Sequence, residues 1–110
     1  INRIGVLEFE KIYNKDNSIV VDVRRPGEYA AMHVDGAINI PLDFINVNLA
    51  EFPKDKEFII HCEGGYRSMT TASILKSRGY NSIIDVIGGF SAIAKTSIAT
   101  TKFTCSSNAK

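Results

Sequence analysis

The stretch FIIHCEGGYRS (residues 58–68) decides the fold of this chain, because it joins an apolar strand to a helix through a loop that contains a cysteine. The apolar start predicts a buried strand, and Gly64 and Gly65 allow backbone N–H groups of the loop to turn inward. The following helix points its positive N-terminus at the same spot. Cys62 is therefore expected to react as a thiolate, with Arg67 as a nearby positive charge.

A buried structural cysteine is the plain alternative for Cys62, since free cysteine is among the residue types most often buried. The glycine pair, the arginine and the helix start together favour a reactive loop. A metal site is not expected, because only His61 adjoins Cys62 and neighbouring residues of a strand point to opposite faces. Cys105 lies in a polar tail and is interpreted as a free thiol, with a role in resolving an adduct on Cys62 as the alternative.

The composition indicates one domain without an evident macromolecular ligand. The chain has 110 residues and a formal net charge of +1, so neither nucleic acid nor an anionic membrane is an expected partner. It contains no apolar run of membrane-spanning length and only two cysteines, and we expect no signal peptide, which favours the reducing cytoplasm. No cofactor is expected. Because the chain starts at Ile1, we expect either a domain of a longer protein or a processed start.

Alternating strand and helix patterns predict a parallel α/β sheet that is covered on both faces. Apolar, β-branched runs predict strands at 18–23, 37–40, 57–60 and 82–86. Helical patterns cover 7–13, 26–30, 42–49 and 68–78, and the Gly88–Gly89 pair opens a last short helix. Ser68 is the predicted N-cap of the fourth helix, and Gly79 is the predicted residue after its end.

Ligands of such sheets bind beyond the carboxyl ends of the strands, where the Cys62 loop lies. The chain from about residue 96 onward is rich in small polar residues and lacks periodicity. We therefore divide the chain into a folded domain, 1–95, and a loosely ordered tail, 96–110.

Three motifs resemble the rhodanese (sulfurtransferase) domain family. They are VDVR (21–24) followed by Glu28-Tyr29, HVDGAINIP (33–41), and the Cys62 loop with its helix and the later GGF (88–90). Their order and spacing cover the chain from about residue 4 to 93. The resemblance implies a rhodanese-like, five-stranded, mostly parallel sheet flanked by helices.

The sequence of the loop, CEGGYRS (62–68), is similar to that of a narrower group of rhodanese domains. It looks like the rhodanese domain that follows a metallo-β-lactamase-fold persulfide dioxygenase or hydrolase domain, which implies such a fused domain as a partner. One departure concerns tryptophan, which many rhodaneses carry shortly after the late glycine pair. This chain has no tryptophan and places Ile93 near that position, a change that we expect to affect packing more than chemistry.

The resemblance implies sulfur transfer by double displacement. The Cys62 thiolate attacks the outer sulfur of a persulfide or thiosulfate donor, and the resulting persulfide passes that sulfur to a thiol, sulfite or cyanide. Loop amides stabilise both anions. The predicted substrate-binding residues are Glu63, Gly64, Gly65, Tyr66, Arg67 and Ser68. For Arg67, a structural hydrogen bond to loop carbonyls is the alternative role.

Two other functions are weighed against sulfur transfer. Cell-cycle phosphatases of a similar fold space their cysteine and arginine by one residue more than the four that separate Cys62 and Arg67 here. The smaller loop suits a single sulfur atom better, so phosphatase or arsenate reductase activity is disfavoured. Rhodanese-like domains can also be regulatory docking modules. Those usually lose the loop cysteine, which is present in this chain.

Glu63 sets the expected donor preference. A carboxylate beside the thiolate repels a doubly charged donor such as thiosulfate, and Tyr66 adds an apolar rim. We therefore predict a preference for organic persulfides such as glutathione persulfide. The alternative is that Glu63 points to solvent and has no effect on the donor.

The residues predicted to support the loop are Asp22, Arg24 and His61. Asp22 is expected to hold a neighbouring loop by hydrogen bonds. Arg24 and Glu28 are expected to form an ion pair, and His61 to support the loop from behind. His33 is expected to anchor a turn.

Overall fold

The computed structural model describes residues 2–14 and 17–101. Its strands are β1 (Asn2–Ile4), β2 (Val20–Asp22), β3 (His33–Val34), β4 (Ile38–Asn39), β5 (Phe58–His61), β6 (Ile83–Val86) and β7 (Thr100–Thr101). Its α-helices are α1 (Val6–Ile12), α2 (Pro26–Ala31), α3 (Tyr66–Ser77) and α4 (Gly89–Ile93). Two 3₁₀ turns lie between β4 and β5, at Leu42–Phe44 and Leu49–Glu51.

The central sheet has five strands in the order β1-β6-β5-β2-β4, and every neighbouring pair is parallel. The predicted fold class is therefore confirmed. Each predicted run contains or overlaps an observed strand that is shorter or shifted by one residue. Asp22 on β2 is in register with His61 on β5, so both strands end beside the start of the Cys62 loop.

Two pairings of short strands were not apparent from local pattern. The edge strand β1 has only three residues and two of them are exposed, so it carries no apolar run. The two-residue strands β3 and β7 form a separate antiparallel pair, with His33 opposite Thr101. Both pairings join segments that are distant in sequence, and window-based patterns do not record such contacts.

The two faces of the sheet carry separate apolar cores, as a doubly covered sheet requires. Alternation along β5 sends Phe58 and Ile60 to the core under α3, and Ile59 to the core under α1 and α4. Cys62, two residues after Ile60, lies in the same core under α3. Ile93, which lies near the position where many rhodaneses have tryptophan, is fully buried in the second core.

Helix α3 begins earlier than predicted. Its N-cap is Gly65, in the left-handed conformation with φ 107°, and its first residue is Tyr66. The assignment of Ser68 as N-cap is therefore wrong, because the glycine already turns the chain and Ser68 lies inside the first turn. The predicted end is confirmed: Gly79 has φ 93°, and the N–H of Tyr80 donates to the Leu75 carbonyl at 3.0 Å.

The predicted helix at 42–49 is also wrong, since the structure has two 3₁₀ turns there. The segment contains Asn46, Val47 and Asn48, which are poor helix formers.

The residues that follow position 95 pack on the domain as far as they are described. Ile98 is buried in the core under α1 and α4, and the N–H of Asp35 donates to the Ala99 carbonyl at 2.9 Å. Residues 102–110, which include Cys105, lie outside the described residues, and a loose tail there stays a prediction. Within the described ranges, no helix has the length and apolar character of a membrane span.

Candidate active site

Cys62 lies directly after β5 with its sulfur enclosed by the loop. The residue is 1% exposed. Its Sγ accepts the backbone N–H of Gly65 at 2.9 Å and lies 3.6 Å from the hydroxyl of Ser68. The sulfur therefore already has one backbone donor, the Gly65 N–H, and such a donor stabilises an anion on sulfur.

The loop closes because Gly65 takes a conformation that other residues rarely adopt. Its positive φ turns the amide back toward the sulfur and starts α3 at the next residue. Ser68, which is fully buried, donates its hydroxyl to the Gly65 carbonyl at 3.3 Å and so fixes the turn. The positive end of α3 then lies beside Cys62, where it favours negative charge.

Helix α4 supports the loop from the opposite side. The N–H of Phe90 donates to the Cys62 carbonyl at 2.6 Å, and the N–H of Ser91 donates to the Glu63 carbonyl at 3.0 Å. Gly89 makes this approach possible, because a Cβ atom there would lie 2.4 Å from the Cys62 carbonyl oxygen. The sequence predicted the helix after the glycine pair but not its contact with the loop.

Arg24 is the centre of a buried polar network. It is 3% exposed, and its guanidinium bonds the Asp22 carboxylate at 2.8–3.0 Å. Its Nη1 donates to Glu63 at 2.9 Å, and its charge lies 4.2 Å from the centroid of the Phe90 ring. The predicted ion pair between Arg24 and Glu28 is therefore wrong: Arg24 turns toward the end of the sheet, where Asp22 and Glu63 surround it.

Glu63 takes neither of the two directions that the sequence left open. One carboxylate oxygen accepts from Arg24, and the other accepts the Ser91 hydroxyl at 2.8 Å. The side chain is still 43% exposed. Glu63 thus joins the loop to the Arg24 network and to α4, and both partners are far along the chain from it.

Arg67 is neutralised by an ion pair instead of offering a free charge. Its two terminal nitrogens donate to the Glu28 carboxylate at 2.6 and 3.0 Å. These hydrogen bonds from Arg67 lower the pKa of Glu28 from 4.5 to about 2. Glu28 was not among the predicted site residues, and the expectation that Arg67 bonds loop carbonyls is replaced by this pair.

His61 points away from the sulfur and supports the loop from behind. It is fully buried, its Nδ1 lies 3.1 Å from the Cys62 carbonyl oxygen, and its ring stacks at 6.0 Å on Phe90. Burial lowers the pKa of His61, which favours the neutral ring. Its partner at Nδ1 is a carbonyl oxygen, which only accepts, so the contact assigns a proton to Nδ1. Its Nε2 lies 3.9 Å from Asp22 and has no hydrogen-bond partner in the described part of the chain.

The rim of the loop is exposed and largely apolar. Gly64 and Tyr66 are exposed, and Tyr66 reaches 84% exposure. Met69 on α3 and Ile87 after β6 are about half exposed. Elsewhere, His33 bonds the Tyr29 carbonyl through Nδ1 at 2.8 Å, in agreement with its predicted anchoring role. The described residues contain no group of three His, Cys, Asp or Glu side chains placed to hold a metal.

Comparison with known proteins identifies the family to which this chain belongs. A family model described as a rhodanese-like domain matches residues 6–96. A sulfurtransferase of Allochromatium vinosum is 29% identical over 86 residues, which cover 78% of this chain and 80% of the relative. The probable adenylyltransferase/sulfurtransferase MoeZ of Mycobacterium tuberculosis is 36% identical over 78 residues, 69% of this chain. The match spans only 20% of MoeZ, so there the similar segment is part of a much longer protein.

Solved structures agree with the fold. A rhodanese-related protein from Thermoplasma volcanium superposes with a TM-score of 0.81 at 25% identity, over 92% of this chain and 98% of that one. The similarity therefore extends over almost the whole of both chains.

Proposed function

The chain belongs to the rhodanese-like domain family, and we propose that it is a sulfurtransferase that carries sulfane sulfur as a persulfide on Cys62. The observation that carries the proposal is the enclosed sulfur, which the Gly65 amide contacts at 2.9 Å inside a loop at the start of α3. A loop of this kind stabilises negative charge on Cys62 and on one further sulfur atom.

The proposed reaction has two displacements. The Cys62 thiolate attacks the outer sulfur of the donor R–S–S⁻, a bond forms between the two sulfurs, and the donor S–S bond breaks. Its electron pair leaves with R–S⁻. A second thiolate then attacks the outer sulfur of the Cys62 persulfide and restores the Cys62 thiolate. No net oxidation occurs, and the loop amides hold the anion at each stage.

We propose an organic persulfide as the preferred donor. Around the loop, the carboxylates of Asp22, Glu28 and Glu63 are paired with the guanidinium groups of Arg24 and Arg67. When all five are ionised, this group carries one net negative charge, which disfavours the thiosulfate dianion. The exposed Tyr66 offers an apolar contact to an organic group. A fused metallo-β-lactamase-fold domain of the persulfide dioxygenase or hydrolase type is the partner that we propose.

Phosphoryl transfer has less support. A cysteine phosphatase requires a general acid for the leaving oxygen. In the described part of the chain no carboxylate is hydrogen-bonded to Cys62, and the nearest in sequence, Glu63, is held by Arg24 and Ser91.

The test is the intact mass of the chain after incubation with glutathione persulfide or thiosulfate. We expect the wild type to gain one sulfur atom and Cys62→Ser to gain none. Cys105→Ser is the matched control, and it should gain sulfur like the wild type. Absence of an adduct on wild type from either donor would contradict sulfur transfer and favour the docking function, with a phosphatase assay as the next measurement.

A further inference from the structure

A cavity lies between α3 and two neighbouring strands of the sheet, the edge strand β1 and the adjacent strand β6. It has a volume of about 120 Å³ and is lined by Arg3, Met69, Ala72, Ser73 and Asp85. Arg3 belongs to β1 and Asp85 to β6, and these residues are opposite each other in register. This volume corresponds to roughly four water molecules of the liquid, which is room for a group of a few atoms.

Asp85 is the unusual member of this cavity. It is 1% exposed in the middle of a buried strand. Its Oδ2 accepts the Nε–H of Arg3 at 3.1 Å, but its Oδ1 has no hydrogen-bond partner among the residues that the structure describes. Because a buried carboxylate oxygen without a donor is costly, the cavity has an acceptor that a ligand could satisfy.

Arg3 offers the complementary group. Its side chain is 43% exposed, and only Nε is used by Asp85. Within residues 2–14 and 17–101, the terminal nitrogens of Arg3 form no hydrogen bond. One cavity thus presents an unpaired carboxylate oxygen and guanidinium donors side by side, which matches a group that carries both an ammonium and a carboxylate.

The cavity and the Cys62 loop both adjoin the first turn of α3. Ser68 contacts the sulfur of Cys62, and the next residue, Met69, lines the cavity. Asp85 is in register with Ile60, two residues before Cys62. From strand spacing and rise, the Cα atoms of Asp85 and Cys62 are about 8 Å apart.

We propose that this cavity binds the remote α-amino and α-carboxylate end of a small peptide persulfide whose outer sulfur reacts with Cys62. The ammonium donates to Oδ1 of Asp85, and the carboxylate accepts from Arg3. In cysteine, the α-amino and α-carboxylate groups belong to the residue that carries the sulfur and lie only about 5 Å from it. In a γ-glutamyl thiol these groups belong to the next residue and lie roughly 8–9 Å from the sulfur. The geometry thus favours a γ-glutamyl thiol over cysteine. This inference rests on the proposed function.

The experiment separates binding from transfer by using S-methylglutathione, which cannot donate sulfur. Binding is followed by NMR on the whole chain, in wild type, Asp85→Asn and Arg3→Gln. We expect shifts at Arg3, Ser73 and Asp85, and an affinity at least tenfold weaker in both variants. Arg78→Gln, at the far end of α3, is the control and should bind as the wild type does.

A kinetic comparison gives the second readout. Arg3→Gln should raise the KM for glutathione persulfide several-fold and leave persulfidation by thiosulfate unchanged. Arg3 is half exposed, so this variant remains informative if Asp85→Asn does not fold. The inference is overturned if the wild type does not bind S-methylglutathione, if the NMR shifts map elsewhere, or if both variants still bind as the wild type does. Failure of the proposed function is a different result, namely no sulfur gained by Cys62 from any donor.

Discussion

Glu28 on α2 and Arg67 on α3 form a two-bonded ion pair that joins the helix after β2 to the helix after the Cys62 loop. Both side chains are about one third exposed, so the pair lies at the surface beside the loop. It removes the charge that Arg67 would otherwise offer to an anionic donor. Arg24 is paired as well, so in the described part of the chain neither arginine beside the loop has an unpaired charge. We therefore expect the thiosulfate dianion to be a poorer donor than an organic persulfide.

Replacing Glu28 by Gln should therefore improve the use of thiosulfate. Removing one negative charge near a dianion changes its free energy by roughly 1–2 kcal/mol in largely solvated surroundings, so kcat/KM for thiosulfate should rise about tenfold. The measurement is steady-state kinetics with thiosulfate and cyanide. Glu57→Gln, at the amino end of β5, is the matched control and should have no effect. An unchanged rate in Glu28→Gln would show that the pair does not govern donor choice.

The same pair should make stability depend on pH. Hydrogen bonds from Arg67 hold the pKa of Glu28 at about 2, below its ordinary value of 4.5. Between these values the unfolded chain binds a proton that the folded chain does not, so the contribution is complete above about pH 4.5 and is lost as pH falls toward 2. We expect the difference in Tm between wild type and Glu28→Gln to narrow from about pH 6 to pH 3. A difference that stays constant would argue against the pair.

Gly89→Ala should disrupt the active loop. The new Cβ would lie 2.4 Å from the Cys62 carbonyl oxygen, at a positive φ of 60°. We expect a loss of about 3 kcal/mol or more in the free energy of unfolding and a loss of most sulfur transfer. Gly27→Ala is the control, because a Cβ there would have no heavy atom of the described residues within 4 Å. It should leave activity intact and stability equal or about 0.5 kcal/mol higher. Denaturant unfolding measures both.

Arg24→Met should destabilise the whole domain. It leaves the fully buried carboxylate of Asp22 without its partner and releases Glu63, which costs about 3–5 kcal/mol. The neighbouring Arg25 is 75% exposed, so Arg25→Met should change stability by less than about 0.5 kcal/mol. Urea unfolding of the two variants provides the comparison. Equal stabilities would mean that the network adds nothing to the fold.

Ser68→Ala should slow sulfur transfer more than it affects folding. The hydroxyl lies 3.6 Å from the Cys62 sulfur and donates to the Gly65 carbonyl. We expect a rate about tenfold lower, with a stability loss of about 1 kcal/mol. Ser77→Ala changes an exposed serine at the other end of α3 and should leave the rate unaltered. A wild-type rate in Ser68→Ala would exclude a role for this hydroxyl.

The sequence was sufficient to place four strands of the sheet and the position of Cys62, because these depend on short apolar runs and on glycines near the loop. It also placed the end of α3 at Gly79, where a left-handed residue is required. It did not reveal β1, β3 or β7, which have two or three residues each and are defined only by their partners. It misplaced the N-cap at Ser68, because a capping side chain and a left-handed glycine are alternative ways to start a helix.

By itself, then, the amino-acid sequence determined the fold class and the location of a cysteine at the carboxyl end of a parallel strand. Only the tertiary structure decided which charges meet there. Arg24 pairs with Glu63 and Arg67 with Glu28, each across 39 positions of the chain. The physical reason is that strand and helix periodicity is a local property of the chain. The partner of a charged side chain is instead set by which strand ends and helix starts the sheet brings together.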